Sequence, residues 1–123
     1  MDFAPYLTIP GLAGIHLETP VDHPSVVVFR DVPKMEVRLQ EALRQLSAQG
    51  VSQLVFDVSK LPDNQRTGCV AEIEGMALVY DQQTRYVGIT DQDLQRIDHS
   101  WRDQKRDKIK NSIPDAVYSF FQN

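Results

Sequence analysis

The residues best suited to chemistry lie in one polar segment, from Asp57 to Gly68. Its two carboxylates, Asp57 and Asp63, follow an apolar run that predicts a buried strand. The carboxyl end of a parallel strand is where open α/β sheets usually bind ligands, and two carboxylates there are the beginning of a magnesium site. A hard cation requires more oxygen ligands than this, and aspartates commonly form turns and cap helices. We therefore predict no metal and no catalytic residue, and keep a small enzyme or ligand-binding domain that uses this edge as an alternative.

The three histidines and the single cysteine do not form a metal-binding or catalytic pattern. His16, His23 and His99 fall in a predicted strand, turn and helix, without a second ligand one helical turn away. A zinc site needs three or four converging ligands. Cys69 has no base near it in sequence, and buried cysteines are commonly small apolar core residues. We expect structural roles for all four, with no cofactor.

A basic run over residues 101–110 contains five lysines and arginines, interleaved with Asp103 and Asp107. Trp101 beside it has the type of ring that stacks on nucleic-acid bases. Alternating acidic and basic residues are, however, typical of a solvated helix face with ion pairs one turn apart. The run makes nucleic-acid binding the third function to consider, after protein binding and ligand binding.

Length, composition and charge indicate the class of protein in which these residues are placed. The chain has 123 residues, of which 41% are hydrophobic and 24% charged, with a net charge of −4. These values predict one folded domain and disfavour a general binder of polyanions. The longest apolar runs are far shorter than a membrane span, and the N-terminus lacks the basic and apolar regions of a secretory signal. Because one cysteine cannot form an intramolecular disulfide, we expect a soluble, cytoplasmic protein.

The first half of the chain predicts a β-hairpin followed by a crossover unit. Alternation over residues 15–18 and the β-branched run Val26–Phe29 predict two strands joined by a turn. Residues 33–49 predict a helix that ends before Gly50, with one apolar stripe formed by Met35, Leu39, Ala42, Leu43 and Leu46. A buried strand over 53–58 follows. The order strand, helix, strand with short connections predicts parallel pairing.

Residues 68–89 allow two interpretations. A helix would place five side chains on one face, namely Cys69, Ile73, Met76, Ala77 and Tyr80. A hairpin would instead pair Met76–Tyr80 with Arg85–Ile89 across a four-residue loop. Both interpretations make 86–89 a strand.

The remaining sequence predicts helices. Thr90 with Asp93 has the spacing of a capping box that opens a helix reaching about Lys110, and Ser112 begins a last short helix. We therefore expect a single domain over residues 1–123, with an extended N-terminal segment over 1–14 and a helical extension over 98–123. The fold class is α/β, or α+β, with a mixed sheet.

Several features in order resemble the STAS family, the domain of sulfate transporters and anti-sigma-factor antagonists. A hairpin precedes a helix that ends Gln49-Gly50-Val51, and the next strand ends Asp57-Val58-Ser59. Gly68 follows where the family places the glycine of its phosphorylation loop, and Tyr86–Thr90 continues into a helix. The resemblance covers about residues 15–97. It implies a STAS-like fold and a non-enzymatic, protein-binding role.

The chain departs from the family at the phosphorylation loop. Gln65, Arg66 and Thr67 stand where the family has its acid and phosphoacceptor serine. Thr67 is the candidate phosphoacceptor because it alone keeps a hydroxyl there. With Arg66 beside it and no acid at Gln65, we expect a loop that binds its partner without being regulated by phosphorylation.

We therefore predict a small regulatory protein that acts by binding another protein. The predicted partner-binding residues are Asp63, Asn64, Arg66 and Thr67. The prediction includes no membrane partner, disfavours nucleic acid, and leaves a homodimer open.

Overall fold

A computed structural model describes residues 6–12, 15–30, 32, 36–96 and 106–122. Among these residues the strands are β1 (Tyr6–Leu12), β2 (Ile15–Pro20), β3 (Val26–Phe29), β4 (Gln53–Asp57), β5 (Gln83–Val87) and β6 (Ile109–Lys110). The helices are α1 (Glu36–Ala48), α2 (Asp63–Val79), α3 (Asp91–Gln95) and α4 (Ile113–Ser119), and a 3-10 turn, Arg106–Lys108, precedes β6. Met35, His99 and Trp101 lie outside the described residues.

The strands form one mixed sheet in the order β1-β2-β3-β4-β5-β6. β2 pairs antiparallel with both β1 and β3, whereas β3, β4, β5 and β6 are parallel to one another. The predicted hairpin and the predicted parallel crossover through α1 are both confirmed. The described chain is thus a single α/β domain, and its extended N-terminal residues 6–12 form the edge strand β1.

Helices cover both faces of the sheet because strand side chains point alternately to opposite sides. Val27 and Phe29 of β3 belong to the core beneath α1 and α2, whereas Val26 and Val28 belong to the core beneath α4. All four are buried, which explains the unbroken apolar run of β3. The domain therefore has three layers, with the sheet in the middle.

The predicted stripe of α1 is the buried face of that helix. Leu39, Ala42, Leu43 and Leu46 are each at most 2% exposed and pack in the core with strand residues such as Phe56. Gly50 has a φ of +84°, the left-handed conformation that favours glycine after a helix.

The ambiguity over residues 68–89 is resolved as a helix followed by a strand. α2 buries Val70, Ile73 and Ala77, and Asp81, with a φ of +56°, turns the chain into β5. The helix also begins earlier than predicted. Residues 63–66, predicted as loop, form the first turn of α2, which Pro62 precedes at the N-cap and which continues directly into the buried stripe.

The predicted helix from Thr90 to about Lys110 is wrong. The capping box of Thr90 and Asp93 is present, but α3 ends at Gln95, and Ile109–Lys110 pairs with β5 as a strand. Parallel pairing with β5 provides hydrogen-bond partners for the backbone of Ile109, and these groups would lack partners at the end of an isolated helix. The last predicted helix is confirmed as α4, with the Ser112 hydroxyl accepting a hydrogen bond from the Asp115 N–H. Among the described residues, no helix is long and apolar enough to cross a bilayer.

Candidate functional site

The carboxyl edge of the parallel strands is closed by a contact between two turns. Asp57 Oδ1 accepts hydrogen bonds from the Ser59 backbone N–H at 3.0 Å and from the Ser59 hydroxyl at 2.6 Å. The turn after β5 contains Gly88, with a φ of +99°, and a Cβ on this residue would lie 2.5 Å from the Ser59 nitrogen. The Asp57 carboxylate therefore stabilises the turn that follows β4, and this turn packs against the backbone of Gly88.

Arg66 joins three elements at this edge. Its Nη1 lies 3.1 Å from Asp63 Oδ1 and 3.2 Å from Asp93 Oδ2, and its Nη2 donates to the Ser59 carbonyl at 3.4 Å. The Arg66 side chain is only 14% exposed. One guanidinium thus ties the first turn of α2 to the β4–α2 turn and to α3.

Asp93 is the buried anion in this arrangement, with 1% of its side chain exposed. Its Oδ2 accepts the Thr90 N–H at 3.0 Å, and its own N–H donates to the Thr90 hydroxyl at 3.0 Å. Burial by itself raises the pKa of Asp93, but the hydrogen bonds from Thr90 and Arg66 outweigh it and hold the pKa below its ordinary value. Asp93 therefore remains charged and orders the start of α3. The sequence indicated only its capping role.

The predicted partner-binding residues lie on the first turns of α2 instead of on a loop. Asp63 and Asn64 are exposed, and Thr67 is half-buried one turn further on. Arg66 faces inward to Asp93. The four residues thus lie at an ordered helix end. Asp63, Asn64 and Thr67 are at least partly accessible, and Arg66 holds this helix end in place.

The predicted alternative ligands, Asp57 and Asp63, both have partners within the protein. Asp57 accepts from Ser59, and Asp63 pairs with Arg66. Over the described residues, no group of three or more histidine, cysteine, aspartate or glutamate side chains is placed to hold a metal ion.

A second polar cluster lies between α2, β5 and the residues before β6. Glu74 Oε2 accepts from the Tyr86 hydroxyl at 2.6 Å and from the Thr84 hydroxyl, while Glu74 Oε1 accepts from Lys108 Nζ at 2.8 Å. Burial, and then the neighbouring Glu74 carboxylate, raise the pKa of Tyr86 well above its ordinary value. Lys108 belongs to the basic run and was predicted on a solvated helix face. In the structure it is a half-buried partner of Glu74.

Of the two described histidines, His16 lies in β2 and His23 follows that strand. His16 Nε2 lies 3.0 Å from Glu18 Oε2, and Glu18 also accepts from Arg30 Nε at 2.6 Å. His23, in the β2–β3 turn, stacks on Phe121 with ring centroids 4.3 Å apart.

Sequence reasoning missed an exposed apolar surface on α2. Leu78 is 83% exposed and Val79 is 76% exposed. The available signal was their position, because neither residue falls on the helix face shared by Ile73 and Ala77. They lie instead on the face that carries Gly75, directed away from the sheet.

Comparisons with protein-family models, curated proteins and solved structures found no match. The resemblance to STAS domains therefore stays a prediction.

Proposed function

We propose that this protein is a small, non-enzymatic regulator that acts by binding another protein, in the manner of anti-sigma-factor antagonists. Its docking surface is the start of α2, with Asp63, Asn64 and Thr67 in contact with the partner. Arg66 does not contact the partner but holds the start of α2 in position.

The observation that carries the proposal is the Arg66 bridge. Arg66 contacts Asp63, Asp93 and the Ser59 carbonyl. These contacts fix the first turn of α2 against α3 and the β4–α2 turn in the absence of a partner. A preorganised surface loses less conformational entropy on binding. The charged groups of Arg66, Asp63 and Asp93 therefore pair with one another, and these ion pairs stabilise the exposed start of α2.

The order of elements also supports the proposal. A hairpin, β2–β3, is followed by α1, β4, α2, β5 and α3, and this is the order that the resemblance requires over residues 15–97. The two other predicted functions have less support. Asp57 and Asp63 are used within the protein, and Lys108 of the basic run is paired with Glu74.

The test uses two substitutions at Thr67, made in a tagged copy of the protein expressed in its native cells. Thr67→Glu adds bulk and negative charge to the docking surface, so we expect a stoichiometric protein partner to be lost. Thr67→Ala is the matched control and should retain the partner. Both variants should melt within a few degrees of the parent, because Thr67 is not in the core.

The tagged protein isolated from its native cells also tests the competing predictions. If Thr67→Glu retains the partner as well as the parent does, the start of α2 is not the docking surface. A nucleotide or metabolite that copurifies in place of a protein would favour the ligand-binding alternative. An intact mass heavier by one phosphoryl group would contradict our expectation that Thr67 is unmodified.

A further inference from the structure

Residues 106–110, which we call the edge segment, lie along β5 at one edge of the sheet. The segment consists of a single 3-10 turn followed by the two-residue strand β6. Two residue pairs join it to β5, namely Tyr86 with Ile109 and Val87 with Lys110, whereas β4 and β5 share five pairs. Both residues of β6 are half-buried. A ladder this short is weak by itself, because exposed hydrogen bonds at the edge of a structure open most readily.

The backbone of β5 beyond this ladder is bonded by a side chain of β5 itself. The Gln83 N–H donates to the Ser52 carbonyl, on the side of β4, at 2.7 Å. Because backbone groups alternate in direction along a strand, those of Thr84 and Tyr86 face the edge segment. The Thr84 carbonyl accepts from Arg85 Nη1 at 2.8 Å. The pairing of β5 with the edge segment therefore begins at Tyr86.

A charged side chain attaches the edge segment to the interior of the protein. Lys108 Nζ lies 2.8 Å from Glu74 Oε1 and 3.3 Å from the Thr84 hydroxyl oxygen. The Lys108 side chain is 30% exposed, and that of Glu74 is 12% exposed. Glu74 also accepts from the Tyr86 hydroxyl at 2.6 Å, so its carboxylate is held by the sheet. If the edge segment leaves β5, Glu74 loses its ammonium partner while it remains buried, and this is unfavourable.

The helix that follows the edge segment has its own place in the core. α4 buries Ile113, Ala116 and Val117 beneath the sheet. The exposed Asn111 connects the edge segment to this helix. The edge segment can therefore separate from β5 while α4 stays packed.

We propose that the edge segment opens from β5 and closes on it as one unit, and that the ion pair of Lys108 with Glu74 controls this equilibrium. In the closed state the segment covers the backbone of Tyr86. In the open state these groups lie unpaired at the edge of the sheet, where extended chains can pair with them. The inference does not depend on the proposed docking surface at the start of α2.

Hydrogen exchange of the native ¹⁵N-labelled protein tests whether the segment opens as a separate unit. We would follow amide exchange by NMR at several urea concentrations below the unfolding transition. The Tyr86 amide, which faces the edge segment, should exchange by an opening that depends little on urea, because little surface is exposed. The Val55 amide, in the central strand β4, should exchange by global unfolding with a steep dependence. The same steep dependence for both amides would mean that the segment opens only when the whole domain unfolds.

Variants test the role of the ion pair. Lys108→Met removes the charge and keeps an unbranched side chain, so it should accelerate opening at the Tyr86 amide at least about tenfold. Lys110→Met is the matched control, because it makes the same change two residues further along the edge segment. It should alter this rate less than about threefold. In a Glu74→Gln background, Lys108→Met should also have less than about a threefold effect, since the ion pair is already absent.

Three results with these variants would overturn the inference. The first is unchanged exchange of Tyr86 in Lys108→Met, and the second is equal acceleration in Lys110→Met. The third is an equal effect of Lys108→Met with and without Glu74→Gln, because the two side chains would then act independently. The urea dependence in the parent protein decides whether the segment opens separately even if Lys108→Met does not fold.

Discussion

Gly88 lies against the backbone of Ser59, so that a Cβ on Gly88 would come within 2.5 Å of the Ser59 nitrogen. This contact joins the turn after β5 to the turn after β4, where the Ser59 hydroxyl donates to Asp57. Contact between these two turns brings the start of α2 close to the start of α3, which allows Arg66 to reach Asp93. The candidate docking surface therefore depends on a residue without a side chain.

We expect Gly88→Ala to destabilise the protein by about 2–5 kcal/mol, because it combines an unfavourable positive φ with a clash against backbone. Gly50→Ala is the matched control. Gly50 also has a positive φ, of +84°, but a Cβ there meets no atom within 4 Å. It should cost only about 1–2 kcal/mol. Chemical denaturation of the two variants compares the costs, and equal losses would mean that the Ser59 contact is unimportant.

Leu43→Ala should lower the free energy of unfolding by about 2–5 kcal/mol, since it removes a fully buried side chain from the core beneath α1. Leu78→Ala makes the same chemical change at a site that is 83% exposed. It should alter stability by no more than about 0.5 kcal/mol. Urea titrations of both variants measure the difference. A loss below about 0.5 kcal/mol for Leu43→Ala would contradict the packing of α1 on the sheet.

Asp93 should make stability depend on pH in the acid range. Its pKa is lower in the folded protein than the ordinary value of 3.8. The unfolded chain therefore takes up the proton first as pH falls, so the contribution of Asp93 is present above about pH 4 and is lost as pH falls through its folded pKa.

Asp93→Asn should remove this part of the acid destabilisation and lower stability at neutral pH by about 1–3 kcal/mol. Asp91→Asn, at an exposed position in the same helix, is the control. Denaturant unfolding between pH 7 and pH 3 distinguishes them. The assignment to Asp93 fails if the two variants follow the same pH profile.

Tyr86 should make stability fall at alkaline pH. Its pKa is raised in the folded protein, so the unfolded chain loses the phenol proton first. The contribution of Tyr86 is therefore complete below about pH 10 and declines above it. Tyr86→Phe should flatten this decline at a cost of about 1–3 kcal/mol at neutral pH, because Glu74 loses a buried donor. Thermal unfolding between pH 8 and pH 11 is the measurement, and an unchanged alkaline decline would exclude Tyr86 as its source.

Local patterns in the sequence were sufficient for much of the fold. The apolar stripe from Leu39 to Leu46 predicted the buried face of α1, and the β-branched run of β3 predicted a strand. Turn and capping residues marked Gly50, the capping box at Thr90 and the start of α4. In each case the deciding interactions lie within about one or two turns of the chain, or repeat with the period of the element.

Tertiary structure decided the remaining elements. Residues 68–89 suited a helix and a hairpin about equally, and burial of Ile73 and Ala77 against the sheet selected the helix. Ile109 suited a helix stripe locally, but the open edge of β5 offered its backbone a ladder. Propensity differences of a few tenths of a kcal/mol per residue are smaller than the free energy of burying such side chains.

The candidate site was only partly visible in the sequence for the same reason. Asp63, Asn64, Arg66 and Thr67 were found as a polar segment, and the sequence by itself determined that they follow a buried parallel strand. That Arg66 reaches Asp93, 27 residues away, depends on the packing of the turns at Ser59 and Gly88. The exposure of Leu78 depends on which face of α2 the sheet covers. Hydrogen bonds and burial between distant segments are set by how the layers pack, and no local period encodes them.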